Sequence, residues 1–92
     1  MTLEELQRIV GLCDAAQEGE WSRLPEGKSA TFHVACNGVG LSVSRVGELK
    51  VAERQLLMKT ARDELFVVAL ADVFACSIDQ AGNQARKAGF TA

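Results

Sequence analysis

Ala30-Thr31-Phe32-His33-Val34-Ala35-Cys36-Asn37-Gly38-Val39-Gly40-Leu41-Ser42-Val43-Ser44 is the stretch whose period decides the fold. Ala30, Phe32, Val34 and Cys36 recur at every second position, the signature of a strand with one apolar face. Asn37-Gly38 follows, the dipeptide favoured in a two-residue type I′ turn because both central positions need a positive φ. Such a loop pairs residues whose numbers sum to 75, so Cys36 meets Val39, Val34 meets Leu41 and Phe32 meets Val43. On the other face His33 meets Ser42 and Thr31 meets Ser44. Apolar faces apolar and polar faces polar, which fixes this hairpin and its register.

Toward the C-terminus, Val46-Gly47-Glu48 reads as a break, after which Leu49-Lys50-Val51 and Gln55 to Thr60 read as one or two shorter strands around Glu53-Arg54. Ala61-Arg62-Asp63-Glu64 is a charged turn. In residues 65–78 two patterns compete. β-branched and aromatic content favours two strands bent at Ala71-Asp72, with Asp72 capping backbone amides at the bend. Three alanines, with Thr60 three residues before Asp63 as a cap, favour one buried helix instead. The balance falls to the strands. Alanine-rich residues 80–90 carry Arg86 and Lys87 near their end and close on Gly89, the pattern of a short C-terminal helix.

Toward the N-terminus, Thr2-Leu3-Glu4-Glu5 is a capping box. Leu3, Leu6, Ile9, Val10, Cys13 and Ala16 recur at helical spacing, which predicts an amphipathic helix over 2–18 ended by Gly19. Residues 19–28 then form a connector around Leu24-Pro25-Glu26-Gly27, in which Trp21 is expected to fold back and plug the end of the core, the alternative being an indole left exposed for a partner. One α+β domain over 1–92 follows, with an N-terminal amphipathic helix, about five antiparallel strands over 29–79 and a short C-terminal helix. The sheet is either strongly bent or a small, partly open barrel.

The composition removes several classes of function. Twelve acidic and ten basic side chains, spread evenly along 92 residues, leave a net charge of −2 and no basic stripe for nucleic acid. The longest apolar run, 65–71, is far short of the roughly 20 residues that cross a bilayer. Acidic residues at positions 4 and 5 do not suit a signal peptide, so a cytoplasmic location is expected. Cys13, Cys36 and Cys76 are odd in number and widely spaced, which suits reduced thiols on apolar faces better than a disulfide framework.

Candidate chemistry is thin. His33 is the chain's one histidine, and three-residue spacing on a strand turns it away from Cys36, so no nucleophile–base pair and no catalytic residue are expected. A zinc set of Cys13, Cys36, Cys76 and His33 lacks the close ligand pairs of structural sites, so neither metal nor cofactor is expected. The glycines at 38 and 40 join two strands, where a phosphate-binding loop joins a strand to a helix.

What remains is surface. Leu56, Leu57 and Met58, together with the run 65–71, supply more apolar area than one side of one sheet needs. The expectation is therefore a non-enzymatic protein-interaction module, an adaptor, regulator or inhibitor of a larger protein that also self-associates. Its expected contact residues are Trp21, Glu48, Lys50, Arg54 and Leu57. The alternative is a small-ligand or nucleotide sensor at the open end of a barrel, near His33, Ser42, Ser44 and Arg45.

Overall fold

A computed structural model of the chain describes residues 1–80. It is an α+β fold, one N-terminal helix on a bent, seven-stranded antiparallel sheet that does not close into a barrel. Helix α1 spans Leu3–Leu12, followed by strands β1 (Ala16–Glu18), β2 (Trp21–Arg23), β3 (Lys28–Cys36), β4 (Val39–Ala52) and β5 (Gln55–Thr60). β6 (Leu65–Ala69) and β7 (Val73–Gln80) complete the sheet, joined by a 3-10 turn at Leu70–Asp72.

The capping box forms as expected: the Thr2 hydroxyl accepts from the Glu5 amide at 3.1 Å, and the Glu5 carboxylate accepts from the Thr2 amide at 2.8 Å. That second bond holds the Glu5 carboxyl below its usual range. The helix stops well short of residue 18. Cys13 is its C-cap, and Asp14 turns the chain at φ 59, a conformation that aspartate tolerates better than most residues. Ala16, Gln17 and Glu18 continue the helical spacing but pair with Arg23, Ser22 and Trp21. Gly19, at φ 65, therefore serves a hairpin turn and not a helix cap, and the expected connector contains a strand.

The hairpin of β3 and β4 has the sum-75 register from Cys36/Val39 through Phe32/Val43, with Asn37 at φ 52 and Gly38 at φ 81 in its turn. The ladder then slips by one, so that Ala30 meets Val46 and the expected Thr31/Ser44 pair does not form. The slip coincides with Arg45 at φ 58, a bulge that bends β4 instead of ending it at 46–48. The bend lets one long strand serve two neighbourhoods. Through Val46 β4 pairs with β3; from Val46 on it pairs with β5 on one edge, and at Glu48 and Leu49 with β2 on the other.

Residues 65–80 are two strands, as the β-branched content indicates. Thr60, with the spacing of a helix cap, organises the β5–β6 turn: its hydroxyl accepts from the amides of Arg62 and Glu64, both at 3.3 Å. The remainder of the expected C-terminal helix, beyond Gln80 at the end of β7, lies outside the described residues.

The inner face of the bend holds the core. Phe32, Val43, Val46, Leu56, Met58 and Val73 are fully buried, and α1 covers them through Leu6, with Met1 and Val10 packed alongside. Burial of each such side chain contributes about 1.5–3 kcal/mol. The hairpin tip runs past this cover, leaving Cys36, Val39 and Leu41 exposed although they lie on the inner face.

Candidate interaction face

Strand alternation assigns the outer face. In β5, Leu56 and Met58 turn inward while Leu57 and Lys59 turn outward; β6 repeats this with Phe66 and Val68 more covered than Leu65 and Val67. Register aligns the outward residues across strands. Lys50 meets Leu57 and Leu57 meets Val67; Arg23 meets Glu48, Glu48 meets Lys59 and Lys59 meets Leu65.

Trp21 lies beside these rows, with its ring under two ammoniums: Lys50 Nζ is 5.1 Å and Lys59 Nζ 4.7 Å from the centroid. It is half-buried and stands apart from the core cluster, so it does not plug the core. Both lysines are also ion-paired, Lys50 to Glu20 at 3.4 Å and Lys59 to Glu48 at 4.0 Å. Arg23 lies 3.6 Å from Glu18 and 4.0 Å from Glu48. Three bases and three acids thus surround an aromatic and aliphatic patch with no net charge.

Of the expected contact residues, Trp21, Glu48, Lys50 and Leu57 share this face. Arg54 stands apart in the β4–β5 turn at φ 70, next to Glu53 at φ 50. The face also holds Arg23, which sequence reasoning missed, and Lys59, Leu65 and Val67, which lie in stretches the sequence marked as surface but were not named as contacts. The β4–β5 register, readable from a two-residue turn at Glu53-Arg54, would have found Lys59 opposite Glu48.

The alternative ligand set is less coherent. His33 Nδ1 lies 2.9 Å from Ser42 Oγ, as the register requires, and the His33 ring stands 6.0 Å from that of the exposed Phe74. Ser44 and Arg45 fall in the bulge, and no side-chain hydrogen bond joins either to His33. A separate open groove is lined by Asp14, Glu18, Glu26, Glu48 and Asp63. Lys28 lies 3.8 Å from Asp14, and Arg23 and Lys59 answer Glu18 and Glu48. Among the described residues no group of histidine, cysteine and carboxylate side chains is arranged to hold a metal ion.

Two of the thiols are pushed up. Cys36 is exposed, and hydrogen bonding to Asp72, together with that carboxylate's charge, pushes its thiol above the usual range. Asp72 thus acts on a thiol and not, as the sequence suggested, on the amides of the bend. Burial and the nearby Cys13 push the half-buried Cys76 up to about 11.

No protein family, curated protein or solved structure matches the chain. No helix among the described residues is long and apolar enough to cross a membrane.

Proposed function

We propose that this domain is a non-enzymatic protein-interaction module, an adaptor or regulator that binds a larger cytoplasmic protein through the outer face of β2, β4, β5 and β6. One observation carries the reading: the indole of Trp21 lies under Lys50 and Lys59 on an outer face that Leu57, Leu65 and Val67 extend. Tryptophan dominates many interfaces because its large apolar ring and its N–H serve one contact together. The balanced ion pairs around it favour a mixed-charge protein surface over a polyanion. The thiols of Cys36 and Cys76, both pushed up, are weak nucleophiles near neutral pH, which fits a binding role.

The test is affinity capture with wild type and Trp21→Ala, followed by titration of the identified partner in purified form. A partner that docks here loses about tenfold or more in affinity with Trp21→Ala, as hot-spot truncations do, and perturbs the fluorescence of the chain's one tryptophan. Equal affinity for both variants would place the working surface elsewhere.

A further inference from the structure

From the open edge of β6 we infer that a second copy of this chain docks there, extending the sheet by an antiparallel β6–β6 pair with Val67 opposite the second copy's Val67. This takes up the self-association expected from the sequence and is independent of partner binding at Trp21: it uses the backbone edge of β6, whose outward side chains Leu65 and Val67 border the Trp21 face.

Among the described residues β6 pairs with β5 alone, so its other edge presents free backbone donors and acceptors. Its five residues, Leu65-Phe66-Val67-Val68-Ala69, include no charge and no proline to discourage pairing. Leu65 and Val67 are about half exposed, at 55% and 49%. Antiparallel pairing about a two-fold axis keeps each strand's faces in line, so these side chains would meet their equivalents on a continuous outer face.

Charge selects both the occupant and the register. Glu64 lies at the start of β6, and Arg54 lies at its end, where the Leu70 amide donates to the Arg54 carbonyl at 2.9 Å. Antiparallel pairing of two copies brings each start to the other's end. With Val67 opposite itself all five residues pair, and Glu64 meets the second copy's Leu70, beside that copy's Arg54. A shift that centres the pair on Val68 sets Glu64 against the second copy's Asp72, two like charges. A shift the other way sets Ala69 against Asp63. The sequence around β6 is therefore complementary to itself in one register.

Sedimentation equilibrium of the full chain over the micromolar range tests this, with Val67→Lys and, as a control at the exposed hairpin tip, Val39→Lys. Wild type and Val39→Lys should show a monomer–dimer equilibrium, while Val67→Lys, which opposes two ammoniums, should weaken it by about tenfold or more. In a Cys36→Ser background, Val67→Cys should form an intermolecular disulfide on mild oxidation, because paired residues on adjacent antiparallel strands stand about 4.5–5.5 Å apart at Cα. Several outcomes overturn the inference. They are a dimer indifferent to Val67→Lys, species larger than a dimer (as β6 pairing with β7 would build), and a monomer with β6 amides protected from exchange by residues 81–92. If the dimer fails while Trp21→Ala still abolishes partner capture, the interaction reading stands alone; the converse result separates them equally.

Discussion

The Lys59 ammonium stands 4.7 Å from the centre of the Trp21 ring, joining β5 to the N-terminal hairpin across the intervening β4. β1 and β2 are each only three residues long and β2 meets β4 at two paired positions, so this contact adds to the buried Ser22 and Leu24 and the Leu24–Gly47 backbone bond in holding the hairpin. An exposed cation–π contact contributes about 0.5–1 kcal/mol. Lys59→Gln should therefore cost about that much in urea unfolding. Trp21→Ala removes the ring from both lysines and should cost more, with increased amide exchange confined to residues 16–23.

Leu56 and Leu57 are neighbours in sequence on opposite faces of the sheet. Leu56 is fully buried and Leu57 half-buried. Leu56→Ala leaves a cavity in the core and should destabilise by about 2–5 kcal/mol. Leu57→Ala should cost under about 1.5 kcal/mol and act mainly on partner binding. Similar losses for both in chemical denaturation would contradict the assignment of faces.

Where the chain's local chemistry and its packing agree, the fold was legible. His33/Ser42 and Phe32/Val43 pair as the Asn37-Gly38 turn dictates, because a two-residue turn admits one register. The failures share one cause, long-range pairing that overrides a local pattern. Ala16 fits the helical stripe yet pairs with Arg23, since β4 offers that hairpin an edge on which to lie. Thr60 has the spacing of a helix cap, but its hydroxyl serves the same kind of orphan amides in a turn. The outer face was half legible. Alternation put Lys50 and Leu57 on the surface, but the approach of Trp21 needed a β2–β4 pairing for which no short sequence signal exists.

Gly38 and Gly40 should separate conformation from space. Gly38 turns the hairpin at φ 81, and a Cβ there would meet nothing within 4 Å; Gly40 has no positive φ, and a Cβ there would meet only the Val34 carbonyl oxygen, at 4.0 Å. Gly38→Ala should cost about 1 kcal/mol or more, entirely from the left-handed backbone. Gly40→Ala should be within about 0.5 kcal/mol of wild type, or slightly stabilising. Thermal unfolding of both variants checks the contrast.

Cys36 should label before Cys13 and Cys76 because it alone is exposed, yet more slowly than a free thiol, because the Asp72 carboxylate opposes thiolate formation. Asp72→Asn removes the negative charge. Alkylation of Cys36 near neutral pH should then accelerate several-fold, and the midpoint of its pH–rate profile should move down. At high pH, where the thiol is ionised in both proteins, the two rates should converge. A parallel offset at every pH would indicate changed access instead of changed ionisation.

The turn at Glu53-Arg54 should yield opposite signs in two measurements. Both residues adopt left-handed backbone, at φ 50 and 70, in a position that favours asparagine and glycine. Relief of this conformation by Arg54→Gly is offset in part by glycine's greater freedom in the unfolded chain, leaving a net stabilisation of about 0.5 kcal/mol. The same substitution removes the cation expected to face the second copy's Glu64 across the β6 pair. Monomer stability measured by dilute chemical denaturation should therefore rise while self-association measured by sedimentation weakens a few-fold. A turn residue kept only for folding would improve the first and leave the second unchanged, so this divergence identifies Arg54 as a residue retained for contact.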